Sequence, residues 1–292
     1  MSLPSSPSLA RGGKVGTEVV QASVDQKMTS MKHLVLNLGD PTLRERSLAE
    51  LSQKLWYSFG TVAALVQEVL RIYPALSPPT LTSAASTRVC NVIALFQCIA
   101  SRPETRSPFI EADIPLYLYP FLHTVDKAQP FEQLRLATLG VIGALVKDEN
   151  TEATEYVLQC ETIPLCLNIM EMGNEPSKTV STFILLKVLL SEVGLKQCCD
   201  TRGPFYAIAF ALQKRVDSPD ERPSARLLKC IIRCYLRLFD HRRGRAVLKT
   251  SLPGVLRNGT FNGYLMGDPS AQECLQKLLA AFHRCNGNTI VP

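Results

Sequence analysis

The chain has 292 residues, 46% of them hydrophobic and 20% charged, with a formal net charge of +6 and a sequence pI of about 8.8. This composition excludes a disordered chain, and the modest positive charge favours acidic partners or nucleic acid without requiring either. Polar residues or proline interrupt each apolar run before the ~20 residues of a membrane span, and residues 1–28 lack the apolar stretch of a signal peptide. We therefore expect a soluble, intracellular protein with a flexible tail over residues 1–28 and no membrane contact.

From residue 29 onward, the sequence predicts ten or more helices joined by short loops, without the alternation typical of strands. Asp40 followed by Pro41 is a suitable N-cap and first-turn pair, and Gly173 is a suitable C-cap. Further prolines stand where a helix can begin, at Pro103, Pro130 and Pro223. These signals predict an all-α fold.

The predicted helices recur with a period of about 45–50 residues, close to that of armadillo and HEAT repeats. Ile-Pro-Leu occurs at 114–116 and again at 163–165, each time ahead of a longer apolar helix. Helix 131–147 is apolar nearly all round, as expected where neighbouring repeats cover it on several sides. We predict an armadillo-type α-solenoid of five to six repeats over 29–285, with a short tail over 286–292. A helical bundle of irregular topology is the alternative.

The sequence contains no hydrolase elbow, phosphate-binding glycine loop, zinc-protease helix or paired-cysteine metal site. Its cysteines lie in apolar helical runs, and Cys230 with Cys234 has no second ligand pair nearby. The carboxylates of Asp220 and Glu221 lie in a predicted loop, where solvated charge is expected. The sequence therefore predicts no metal, no cofactor and no enzymatic activity.

A basic stripe lies on one face of the predicted helix 224–237, whose other face is apolar. Its cations fall at i, i+3, i+7 and i+11, which is the spacing of one helical face. The loop predicted after this helix adds Arg242, Arg243 and Arg245. The set predicted to line a basic groove is Arg88, Arg135, Arg226, Lys229, Arg233, Arg237 and Arg243. A groove for a phosphate backbone or an acidic peptide and a solvated helix face are both compatible with this pattern.

A second stripe is apolar. Phe59, Ala63, Val66 and Leu70 follow i, i+4, i+7 and i+11 on a predicted helix 55–72, with Tyr57 near its start. On pattern alone, such a stripe more often packs in the core against a neighbouring repeat than binds a partner.

Several segments are more specific than periodicity requires, among them LWYSFGTVAALVQEVLRIYPALSPPTLT, PETRSPFIEADIPLYLYPFLHT, PFEQLRLATLGVIGALVK and SARLLKCIIRCYLRL. From about Met31 to about Leu279 the chain closely resembles the "required for cell differentiation" family, the armadillo-repeat subunit of the CCR–NOT deadenylase complex. The segment HLVLNLGDPTLRE looks closest to plant members. The resemblance implies a non-catalytic adaptor in mRNA decay and translational repression, found in the cytoplasm, including mRNA-processing bodies, and in the nucleus.

The resemblance also implies the partners and their sites. Family members dock on the large scaffold subunit through positions that match the apolar stripe, at Tyr57, Phe59, Ala63, Val66 and Leu70. They present other surfaces to short peptide motifs of RNA-bound repressors, and they have been described as binding nucleic acid along a groove that matches the basic stripe. The sequence leaves open whether the chain forms a homodimer.

Among the chain's departures from the family, two concern the first repeat and the tryptophan pocket. Lys54 meets Leu55 directly, where most members have a longer linker. A pocket that accepts tryptophan side chains in animal members aligns with Arg202, Gly203, Pro204 and Phe205 and has lost its arginine, although Arg243 keeps the arginine near it. Two other functions therefore stay open: a nucleic-acid-binding α-solenoid, and a paralogue that has lost scaffold binding.

Overall fold

The computed structural model describes residues 26, 28–218 and 222–287, which contain helices and no strand. The chain forms two compact units, Met1–Ser58 and Phe59–Pro292. After a helical segment at 28–37, the helices are α1 (Arg44–Trp56), α2 (Thr61–Leu70), α3 (Ser83–Ala100), α4 (Pro103–Glu111), α5 (Tyr119–Leu122), α6 (Gln129–Val146), α7 (Thr151–Gln159), α8 (Thr162–Met172), α9 (Glu175–Leu190), α10 (Glu192–Asp200), α11 (Arg202–Asp217), α12 (Ala225–Leu238), α13 (Arg242–Ser251), α14 (Gly254–Arg257) and α15 (Pro269–Gly287). Short 3-10 turns lie at Tyr73–Ala75, Ile114–Leu118 and Gly263–Leu265.

In the smaller unit, α1 begins three residues later than the Asp40-Pro41 pair predicts, with Leu43 as its N-cap residue. The Asp40 carboxylate accepts hydrogen bonds from the hydroxyl (2.7 Å) and backbone N–H (2.8 Å) of Thr42, which closes a turn ahead of the helix. The hydrogen bond from the Thr42 side chain, reinforced by the one from its backbone, holds the pKa of Asp40 below its ordinary value. Lys54 and Leu55 both lie inside α1, so the short linker leaves the helix unbroken there.

The larger unit repeats a long helix that packs on the equivalent helix of the next repeat. These third helices, α3, α6, α9, α12 and α15, contact one another in that order. They begin at residues 83, 129, 175, 225 and 269, at intervals of 46, 46, 50 and 44 residues. The shorter helices between them complete each repeat. The prediction of an all-α, armadillo-type fold is confirmed.

Side-chain caps explain where several of these helices begin. Asn150, Asn174, Ser191 and Ser224 each accept a hydrogen bond from a backbone N–H in the first turn that follows, at 2.9–3.2 Å. Pro103 and Pro130 lie in the first turns of α4 and α6, as predicted, and Gly173 is the C-cap of α8. Pro223 instead precedes the Ser224 cap.

The connection from a third helix into the next repeat is tight. At Gly194 a Cβ would lie 2.0 Å from the carbonyl oxygen of Val188, and at Gly244 it would lie 1.9 Å from that of Leu238. Both glycines stand six residues after the carbonyl that they approach. Glycine is required there because any side chain would collide with the backbone of the preceding helix.

Helix α3 has the length and mean hydropathy of a membrane span, although Arg88 and Gln97 interrupt its apolar run. In the structure, seven of its 18 residues are buried within the fold. Its fully buried side chains, including Val89, Ile93 and Phe96, lie in a helix that packs against α6.

The predicted chain ends lie mostly outside the described residues. Within the predicted tail 1–28, positions 26 and 28 are helical, and α15 continues through Gly287, past the predicted boundary at 285. Residues 288–292, and the carboxylates of Asp220 and Glu221, lie outside the part that the structure describes.

Candidate docking surfaces

The apolar stripe lies on a shorter helix than the sequence predicts. The predicted helix 55–72 is wrong, because α1 ends at Trp56 and α2 begins at Thr61. Gly60 takes φ +74° as the residue before α2, in the left-handed region that glycine adopts without steric cost. Tyr57 and Phe59 therefore lie in a connection between helices.

The stripe faces outward on the larger unit. The Phe59 side chain is completely exposed, Ala63 and Leu70 are exposed, and Val66 is half-buried. Val69, which points away from this stripe, is fully buried. Core packing is therefore the wrong interpretation of these four residues, which we call the α2 face. An apolar face left open to solvent is typical of a protein–protein interaction site.

Tyr57, in the smaller unit, is also exposed over 68% of its surface. It ends α1 as the C-cap residue, with its backbone N–H bonded to the carbonyl of Gln53. Its predicted role at the scaffold interface stays a prediction.

Helix α12 carries the predicted basic stripe, but half of its charge is neutralised within the chain. Lys229 lies 3.0 Å from the carboxylate of Asp268 and lowers the pKa of that group through the hydrogen bond. Arg237 pairs with Asp240 at 3.0 Å and with Glu192, and its Nε donates to the carbonyl of Leu189. These two cations hold neighbouring segments together.

The other two cations of the stripe are open to solvent. Arg226 and Arg233 are exposed, and neither has an ion pair with any carboxylate in the described part of the chain. The stripe therefore offers two free charges where the sequence predicts four.

Arg135 is not a groove residue, and its assignment to the basic groove is wrong. Its side chain is fully buried, and its guanidinium donates to the backbone carbonyls of Thr124 (2.8 Å) and Asp126 (2.5 Å) and to the buried carboxylate of Glu132 (2.7 Å). Glu132 in turn accepts from the hydroxyl of Ser177 at 3.4 Å, on the next repeat. The pair therefore joins α6 to the preceding loop and to α9.

Arg88 and Arg243 are not part of the α12 stripe, and each contacts a different segment of the chain. The loop predicted for Arg243 and its neighbours is wrong, because helix α13 (Arg242–Ser251) begins there. Arg88 is exposed and stands 3.9 Å from the carboxylate of Glu68. Arg243 is half-buried and donates to the carbonyl of Cys199 at 2.5 Å, which ties α13 to α10. The seven predicted cations thus include one buried and several internally paired side chains.

The region aligned with the tryptophan pocket contains an open apolar cleft. Its volume is about 790 Å³, and it is lined by Leu158, Ile163, Pro164, Leu167, Cys198 and Pro204, among others. Arg202 is exposed as the first residue of α11. Phe205 lies in the first turn of α11 with its side chain directed into the core, where it is fully buried. Its assignment to the pocket is therefore wrong.

Two exposed aromatics beside this cleft were missed by sequence reasoning. Tyr206 and Phe210 are 53% and 65% exposed, one turn apart on α11. Phe210 lines a smaller cleft of about 200 Å³, which shares Leu167 and Ala207 with the larger one. The i, i+4 spacing was visible in the sequence, but a helix buried on both sides would show it too.

Sequence comparison decides the family. The model of the Rcd1-like cell differentiation family matches residues 20–282. The chain belongs to this family. It is 49% identical over 255 residues to the cell differentiation protein rcd1 of Schizosaccharomyces pombe, covering 84% of this chain and 90% of that protein. It is 44% identical over 262 residues to the protein CAF40 of Saccharomyces cerevisiae, covering 86% of this chain and 70% of that protein.

Solved structures support the fold of this Rcd1-like chain. A designed armadillo repeat protein, YIII(Dq)4CqI, superposes with a TM-score of 0.54 at 15% identity, over 86% of this chain and 98% of that one. A second design, solved in complex with the peptide (KR)4, gives 0.53 at 16% identity over the same shares. At this identity the likeness shows the armadillo fold alone.

Several titratable groups of the Rcd1-like chain are buried or paired within the fold. Burial raises the pKa of the thiols of Cys166 and Cys198 to about 12, which keeps both protonated at neutral pH. His241 accepts from the backbone of Arg243 and lies 3.2 Å from Asp200. Among the described residues, no cluster of three or more His, Cys, Asp or Glu side chains can hold a metal ion.

Proposed function

We propose that this chain is a non-catalytic adaptor subunit of the CCR–NOT deadenylase complex, acting in mRNA decay and translational repression in the cytoplasm, including mRNA-processing bodies, and the nucleus. Family membership supports this role. The observation that carries it is the α2 face, where Phe59, Ala63 and Leu70 stand exposed on a rigid helix and its N-terminal connection. We assign this face to the large scaffold subunit.

An adaptor acts by effective concentration: it holds nuclease and target transcript together through separate surfaces. The second surface in this proposal is the cleft between α8 and α11, whose apolar lining fits an apolar side chain from a short repressor motif. This surface lies on repeats that follow the α2 face in the chain, so one protein can hold a scaffold and a repressor together.

Replacing Phe59 with alanine should weaken binding to the purified scaffold subunit by about 2–4 kcal/mol, roughly 30- to 1,000-fold in Kd, because an exposed aromatic anchor is lost. Isothermal titration of the two purified proteins measures this directly. Raising the salt concentration should change the wild-type Kd little, since apolar contacts are not screened.

Phe210→Ala is the matched control, because it removes an aromatic side chain that is also exposed and lies on a different repeat. It should leave the Kd for the scaffold within about threefold, a difference of well under 1 kcal/mol. Equal losses in both variants, or no loss in Phe59→Ala, would rule out the α2 face as the docking site.

A further inference from the structure

The stretch that contains α7 and α8 is strongly acidic, although the chain as a whole has a net charge of +6. Residues 148–177 contain no Lys, Arg or His and seven carboxylates, Asp148, Glu149, Glu152, Glu155, Glu161, Glu171 and Glu175. The same stretch supplies one side of the apolar cleft of about 790 Å³, through Leu158, Ile163 and Leu167 among others. An acidic surface therefore borders the cleft.

Most of these carboxylates have a partner within the fold. Asp148 pairs with Arg106, Glu149 with Lys187 and Glu171 with Lys214, while Glu152 and Glu175 accept hydrogen bonds from Ser107 and Ser224. Glu155 and Glu161 are exposed, and within the described part of the chain neither carboxylate has an ion pair or a hydrogen bond. Two negative charges on this surface thus remain uncompensated.

Glu161 is the one of these two that lines the cleft. It precedes α8 with φ +52°, and the same φ occurs at Asp113, ahead of the Ile-Pro-Leu of the preceding repeat. The backbone conformation is therefore a feature of the repeat, and what distinguishes Glu161 is its place on the cleft. Among the described residues that line the cleft, it is the only one with a charged side chain.

The other side of the cleft, formed by α10 and α11, has a neutral lining that includes Gln197, Gly203 and Pro204. Lys196 and Arg202 are next to two of these residues in sequence, but neither lines the cleft or forms an ion pair with Glu161. The cleft thus has one charged end, at the junction of α7 and α8. A cation in a bound segment is stabilised at that end.

We propose that this cleft selects repressor segments in which the apolar side chain is flanked by lysine or arginine, and that Glu161 recognises the cation. The inference rests on the proposed function and adds the chemistry of the partner. The apolar lining binds any large apolar side chain, whereas one charged residue discriminates between cationic and anionic neighbours of that side chain. Because the net charge of +6 repels cationic peptides at long range, a preference for lysine requires a local anion.

The test is fluorescence anisotropy of short labelled peptides with the full chain at about 150 mM salt, where exposed charges more than about 8 Å apart are largely screened. Each peptide has a central tryptophan in a Gly/Ser background, flanked on both sides by lysine, glutamine or glutamate. The lysine peptide should bind about threefold more tightly than the glutamine peptide, and the glutamate peptide about threefold more weakly, as expected for one exposed ion pair.

Three variants locate the effect. Glu161→Gln should bring the three affinities within about twofold of one another, and Glu161→Lys should reverse their order. The matched control is Glu111→Gln, which removes an exposed carboxylate of the preceding repeat that does not line the cleft, and it should keep the wild-type order. Ala207→Trp places a large side chain at an exposed position of the cleft and should weaken all three peptides at least tenfold.

The inference holds if the order of affinities follows the charge at position 161 and Ala207→Trp loses binding. Equal binding of the lysine and glutamate peptides to the wild type would overturn it, as would an unchanged preference in Glu161→Gln or an equal effect of Glu111→Gln. Peptides that do not bind the wild type, or that bind Ala207→Trp unchanged, would also overturn it. Scaffold binding of the same variants, measured separately, should be unchanged, so a failure here is distinguishable from a failure of the adaptor proposal.

Discussion

Replacing Arg135 with alanine is expected to lower the free energy of unfolding by about 3–5 kcal/mol, the range found when one partner of a buried ion pair is removed. The substitution strands the carboxylate of Glu132, which is almost inaccessible to solvent, and leaves the carbonyls of Thr124 and Asp126 without their donor. Urea denaturation followed by circular dichroism measures the change.

Arg233→Ala is the control, since Arg233 is an exposed cation on another third helix and its loss should change stability by less than about 0.5 kcal/mol. Replacing both partners, as Arg135→Met with Glu132→Leu, should recover much of the lost stability, because no buried charge is left unpaired. A loss below about 1 kcal/mol in Arg135→Ala would contradict the buried placement, since it is the cost of an exposed pair.

Gly244→Ala is expected to destabilise the chain by about 3 kcal/mol, at the upper end of overpacking costs. The new Cβ would lie 1.9 Å from the carbonyl oxygen of Leu238, and backbone cannot move aside as a flexible side chain can. The sign of this change in stability is informative, because Gly→Ala inside an ordinary helix stabilises the protein by about 1 kcal/mol.

Gly203→Ala provides that ordinary case. Gly203 lies in α11, and nothing approaches within 4 Å of the position its Cβ would take. Thermal unfolding of both variants should therefore give a lower Tm for Gly244→Ala and an unchanged or higher Tm for Gly203→Ala. The same sign for both would mean that the connection between α12 and α13 is looser than the structure shows.

The sequence allowed the repeat architecture to be predicted because its signals are local. Ile-Pro-Leu at 114–116 and 163–165, the first-turn prolines of α4 and α6, and the two-faced pattern of α12 each depend on residues within one repeat. Helical spacing also places Ala63, Val66 and Leu70 along one side of α2, whereas Phe59 precedes the helix. It did not say whether that side is covered, which depends on neighbouring elements.

The errors in the candidate site have the same origin. In the sequence, Arg135 and Arg226 are both cations on predicted third helices, and nothing local distinguishes them. Arg135 is buried because the loop at 124–126 and the start of α9 pack around the Arg135–Glu132 pair. Lys229 and Arg237 are neutralised by Asp268 and Glu192, each about 40 residues or more away in sequence. Phe205 was assigned to a pocket by alignment, and the phase of α11 turns it inward.

One predicted helix boundary was wrong for a local reason. Gly60 is the signal that ends any continuous helix from 55 to 72, because its left-handed conformation interrupts the helical path. The apolar periodicity on both sides of it concealed the break. The consequence is that Phe59 projects from a connection, which accounts for its complete exposure.

We propose that the α2 face joins this chain to the deadenylase complex. The most direct test of this proposal is affinity purification of the tagged wild type and of Ala63→Tyr from cells, at low and high salt, with the bound proteins identified by mass spectrometry. Ala63 is exposed, so the larger side chain should block docking without disturbing the fold. Scaffold and deadenylase subunits should accompany the wild type at both salts and be lost from Ala63→Tyr if this proposal is right. Their absence from the wild type, or their retention by the variant, would contradict it.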